Sequence, residues 1–190
     1  MSVIERTMHN CSDIDKSAEI TLRRAVGKTL DKASQSEKMA FYSLLPEQIY
    51  DKELEQILFF CVCCTCLFQI DFSNDVANLT GLQYFLRDLY KEANKSNKRS
   101  DKNKKASSEA NSLQRKIVSI CSYDISFNGR SFNLFLPFIM RMHSTNAKGE
   151  CGKLNTISFA KDLYYWNKRP EVRDRWGKII AEVSFEKGEL

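Results

Sequence analysis

The chain has 190 residues, 43% of them hydrophobic, with only 7 glycines and 3 prolines, which excludes a disordered or low-complexity chain and favours a folded, mainly helical one. Its formal charge of +5 is mild but concentrated: from 91 to 105, seven basic residues outnumber two acidic ones and supply the whole surplus. Seven cysteines, an odd number with four crowded between 61 and 66, do not suggest a disulfide framework and point to a reducing, cytoplasmic setting.

Residues 1–15 hold acids and a histidine but no apolar run of the kind a secretory signal needs, so no signal peptide is expected. A short first helix is expected around Val3, Ile4 and Met8. The spacing then predicts a helix over 16–33, with Ala18, Leu22, Ala25, Val26, Thr29 and Leu30 as its buried stripe. Arg24 and Lys28 lie one turn apart on the outward side with Asp31, and Arg23 stands at the border. Such residues solvate a helix face or meet phosphates, and both readings stay open for them.

Residues 54–72 read as a central helix that is apolar around most of its circumference and therefore buried. Its apolar run, 57–70, is shorter than the roughly 20 residues of a membrane crossing, so no membrane partner is expected. Cys61 with Cys64, and Cys63 with Cys66, have the spacing of metal-binding pairs. On one helix the two pairs point in different directions, and four sulfurs converge on a metal only with help from Cys121, Cys151 or His143. Core packing by small thiols is the expected role, with no metal site.

Asn78, Leu79, Thr80 and Gly81 mark a turn, and Leu82, Phe85, Leu86 and Leu89 make another apolar face. The following stretch of Lys, Asn and Ser has no apolar periodicity and reads as a mobile linker. Helical order resumes over 113–121, where Leu113, Ile117, Ile120 and Cys121 share one face and Arg115 and Lys116 turn away. Residues 132–142 form an apolar segment in which Pro137 imposes a kink or a first turn, and 144–154 form a loop.

The last stretch carries both tryptophans. Phe159, Leu163 and Trp166 fall at i, i+4 and i+7 of a helix that Asn155 or Ser158 is placed to cap. Pro170 suits the first turn of the next helix, where Glu171 complements the exposed amides, and Val172, Trp176, Ile179 or Ile180, and Val183 repeat the pattern. Two amphipathic helices, each burying a tryptophan, are expected as an antiparallel hairpin. The predicted fold is all-α: an N-terminal bundle over 1–92, a basic flexible linker over 93–112 and a C-terminal bundle over 113–190.

Catalytic motifs are missing. His9 and His143 stand in unrelated contexts, the glycines at 149 and 152 lack a phosphate-loop frame, and no nucleophile elbow is present. The chain is therefore expected to be no enzyme and to need no cofactor. No segment reads as a helix-turn-helix with a polar recognition helix, which argues against a free-standing DNA-binding regulator.

Three segments in order carry a resemblance. Ile157, Phe159, Asp162, Leu163, Trp166, Val172 and Trp176 resemble the C-terminal signature of the CasB family, with the aspartate before the leucine. LRRAVGKTL at 22–30 resembles that family's N-terminal arginine-rich segment, and AFYSLLP at 40–46 the aromatic segment that follows it. CasB is the small subunit of the type I-E CRISPR surveillance complex, Cascade. The resemblance implies a non-catalytic subunit that packs along the backbone subunits and beside the large subunit, together with a second copy of itself. It would steady CRISPR RNA, target DNA or the displaced strand through phosphate contacts, with base pairing supplying the sequence recognition. The residues expected to make these contacts are Arg23, Arg24, Lys28, Arg115 and Lys116. The alternative is a cytosolic helical adaptor that binds only protein.

Overall fold

Serine three residues ahead of glutamate begins two of the helices. Ser2 and Glu5 exchange hydrogen bonds, side chain to main chain, at 3.3 and 2.7 Å and start α1, Val3–Ser12. Ser34 and Glu37 repeat this capping box ahead of α3, Gln35–Tyr42. The computed structural model describes residues 1–68, 108, 112, 115, 116, 118–122, 124, 125, 134–136 and 156–185, with backbone alone at 68 and 179–185. About 69% of this described part is helical, and none of it is strand. The all-α expectation is met there.

In α1 the buried residues are Ile4, Thr7, Met8 and Cys11, the i, i+3, i+4, i+7 stripe of an amphipathic helix. Asp15 accepts from the amides of Ser17 and Ala18 and opens α2, Lys16–Arg23. The helix predicted over 16–33 therefore stops ten residues early. α2 closes at Arg24, and Gly27, three residues beyond that cap, takes φ 83 in the following turn, a left-handed value that glycine adopts without a Cβ penalty. Bonds spanning three residues, from the Ala25 amide to Leu22, Lys28 to Ala25 and Ala33 to Leu30, tighten the chain and still deliver Ala25, Leu30 and Ala33 to the core.

The central helix is α4, Lys52–Phe68, capped by Asp51, whose Oδ1 accepts from the amides of Glu53 and Leu54 at 3.0 and 3.1 Å. Every residue from 57 to 66 is buried, as its apolar circumference requires. The expected extension to Phe72 lies outside the described residues, as do the 78–81 turn and the apolar face of Leu82, Phe85, Leu86 and Leu89. The last two helices are α5, Thr156–Tyr165, and α6, Pro170–Phe185, with Pro170 at the first helical position.

α4 is the hub. α1, α2 and α5 pack on it, α3 packs on α2, and α5 also packs on α1. Lys161 of α5 reaches Glu5 of α1 at 2.6 Å, and the Tyr164 hydroxyl donates to Asp51 at 3.1 Å. One apolar cluster thus runs from Ile4 through α4 to Trp176. Among the described residues, the helices up to 68 and those from 156 on contribute to this one cluster, with α2 and α5 both packed on α4. Within the linker expected over 93–112, Ser108 and Ser112 are helical and exposed, so helical order precedes its expected start at 113. The rest of the expected linker, including 91–105, lies outside the described residues.

Candidate nucleic-acid interface

The tryptophans are structural. Trp166 is fully buried and Trp176 is 5% exposed. Their rings meet edge-on at 5.5 Å, and Phe135 lies edge-on to both at 5.4 and 6.1 Å. Trp176 Nε1 donates at 2.9 Å to the buried carboxylate of Asp162, which also takes a charged hydrogen bond from Arg175. Asp162 therefore ties α5 to α6. The Asn167 amide clasps Ile125, accepting from its amide at 2.8 Å and donating to its carbonyl at 2.6 Å. Arg173 holds the adjacent Asp124 at 2.6 Å. The expected capping residue Asn155 lies outside the described residues, and Ser158 falls inside α5 rather than at its start.

The five cations expected at the interface divide into two sets. Arg23 pairs with Glu19 within α2 and donates Nε–H to the Cys66 carbonyl at 3.1 Å, so it fastens α2 to the end of α4. Lys28 pairs at 2.7 Å with Glu37, whose side chain is buried. Burial alone would raise the Glu37 carboxyl; the Lys28 ammonium and the Ser34 amide and hydroxyl outweigh it and hold the group below its ordinary value. Both positive charges are paired with a carboxylate, although the Arg23 and Lys28 side chains are 37% and 42% exposed. Arg24, Arg115 and Lys116 are exposed, with no ion pair among the described residues. Among the described residues, no hydrogen bond or ion pair joins the α2 region to Arg115 or Lys116. Glu19, four residues before Arg23, and Glu37, nine after Lys28, are the sequence signal that these two charges are paired.

The cysteines pack the core. Cys11 of α1 meets Cys66 of α4 at 3.8 Å, a pairing the CxxC spacing did not disclose, and both are buried. The contact with Cys66, with burial, pushes the Cys11 thiol up, and burial does the same to Cys61, Cys63 and Cys64. Cys121 is pushed up to about 11 by burial. Protonated thiols are poor nucleophiles and poor metal ligands. No group of three His, Cys, Asp or Glu among the described residues is arranged to hold a metal. Cys151 and His143 lie outside them.

A cleft of about 890 Å³ opens between the 29–32 turn, the first turn of α4, and Asn167. Its lining has neither histidine nor cysteine; of its four carboxylates, Asp31, Glu53, Glu55 and Asp124, Glu53 is paired with Lys168 and Asp124 with Arg173. No helix among the described residues is long and apolar enough to cross a membrane. Comparison with protein-family models, with curated proteins and with solved structures gave no match.

Proposed function

We propose that this chain is the non-catalytic small subunit of an RNA-guided surveillance complex of the Cascade type, holding nucleic acid by its phosphates. The observation that carries this reading is the ordered triple resemblance to the CasB family. In support, the apolar residues of all three segments lie in one core: Leu22, Ala25 and Leu30 from the first, Phe41 and Leu44 from the second, and Phe159, Leu163, Trp166, Val172 and Trp176 from the third. Their arrangement around α4 gives a reason for the segments to occur together. Of the five cations expected at the interface, Arg24, Arg115 and Lys116 have no ion pair among the described residues and would neutralise phosphate charge without reading bases.

The test is assembly. The tagged chain, co-expressed with its host's backbone and large subunits and CRISPR RNA, should purify within one ribonucleoprotein particle; recovery of the chain alone, free of RNA, overturns the reading. A second reading, an adaptor that binds only protein, draws support from Met39 and Tyr42, which stand 64% and 46% exposed on α3. It predicts partner capture that is insensitive to nuclease.

A further inference from the structure

Of the six basic residues between 156 and 185, four are paired with carboxylates, and Arg169 and Lys178 have no ion pair among the described residues. Lys161 pairs with Glu5, Lys168 with Asp51 and Glu53, Arg173 with Asp124, and Arg175 with Asp162. Arg169 is different. It is exposed at the elbow between α5 and α6 and has no ion pair among the described residues, Glu171 two residues on included. Its guanidinium lies 4.2 Å over the Tyr165 ring, and its amide donates to the Tyr165 carbonyl at 2.8 Å, which fixes the backbone beneath it. Tyr165 in turn meets Tyr164 edge-on at 5.1 Å, and Lys168 sits 3.4 Å over the Tyr164 ring. The result is a stack of two cations and two rings, anchored to α4 through Asp51 and Glu53.

A guanidinium laid on an aromatic ring keeps its planar fork of N–H donors free at the edge, and it has already lost much of the rotamer freedom that binding would cost. Such a fork matches two oxygens of a phosphodiester. The exposed face of the guanidinium accepts a stacked base, which a single strand offers and a duplex withholds. From this geometry we infer that Arg169, held by Tyr165, is a contact point for the phosphodiester backbone of a single-stranded nucleic acid. This site deepens the reading of the chain as a nucleic-acid-holding subunit and rests on it, but it is separate from Arg24, Arg115 and Lys116 and was not singled out by the sequence.

The experiment is fluorescence anisotropy on the full chain with a labelled oligothymidylate, the matching duplex and polyglutamate, across a salt series. Arg169→Ala should weaken oligothymidylate binding about fivefold and flatten the slope of log affinity against log salt by about 0.7, with melting unchanged. Arg169→Lys should restore the slope but only part of the affinity, because an ammonium keeps the charge and lacks the stacked fork. Tyr165→Leu should reproduce the affinity loss with the slope intact. If Arg169→Ala binds like the parent while Arg24→Ala does not, the Arg169 site is refuted and the functional reading stands. Equal sensitivity to Arg169→Ala in the duplex or polyglutamate series refutes the single-strand assignment. If the parent chain binds none of the three probes, both the site and the nucleic-acid reading fail.

Discussion

Phenylalanine substitutions at the two tryptophans should have unequal costs, although both rings are buried in one cluster. Each Trp→Phe change removes part of an indole and leaves a void worth about 1–2 kcal/mol. At Trp176 the change also deletes the N–H that donates to Asp162 at 2.9 Å. Asp162 is 6% exposed and, among the described residues, keeps only Arg175 as a side-chain partner, so losing a hydrogen bond to this charged group adds about 1.5–3 kcal/mol. At Trp166 the balance runs the other way: its Nε1 is buried without a hydrogen-bond partner among the described residues, and removing it relieves a desolvation cost of about 1–3 kcal/mol. Trp166→Phe should therefore be close to neutral, and the two variants should differ by roughly 2.5–6 kcal/mol. For a chain of this size that is a difference in Tm of roughly 5–24 °C. Thermal melts followed by far-UV circular dichroism measure it without depending on tryptophan emission. Equal melting temperatures, or a less stable Trp166→Phe, would refute the assignment of Asp162 as the reason Trp176 is a tryptophan.

Arg23→Ala should lower stability by on the order of 1–2 kcal/mol through loss of the Cys66 and Glu19 bonds. Arg24→Ala should leave the melt untouched and flatten the salt dependence of strand binding in the assembled complex by about 0.7; paired melting and salt-titration curves check both. The hydrogen bond from Lys161, with the Ser2 amide, lowers the Glu5 carboxyl from 4.5 to about 2. Its stabilising effect is complete above pH 4.5 and is lost as pH falls through about 2. Urea midpoints measured across acidic pH should depend less steeply on pH in Glu5→Gln; an unchanged slope removes Glu5 from the acid response. Native protein should expose no fast-reacting thiol among Cys11, Cys61, Cys63, Cys64 and Cys66, whereas all seven cysteines should label in urea. Rapid native labelling at those five positions, or stoichiometric zinc by elemental analysis, contradicts a purely structural role.

The helical class, the two helices joined at Pro170 and the burial of both tryptophans were legible because they follow from local rules: a 3.6-residue apolar period, a proline that starts a helix, and a run too apolar to face water. Other features needed contacts between distant parts of the chain. The end of α2 was misjudged because the stripe from Ala18 to Leu30 continues at compatible spacing, whereas Gly27 turns left-handed and the Leu30 amide is taken by Gln56 at 2.8 Å, on a different helix. Likewise, side by side in sequence, Arg23 and Arg24 are alike as cations. Glu19 and the Cys66 carbonyl take up the first, whereas the second is exposed and has no ion pair among the described residues. Which charges are available is a property of the assembled surface, since an ion pair forms wherever folding happens to place the opposite group within a few ångströms. Periodicity fixes the side of a helix on which a residue stands, and the fold decides what it meets there.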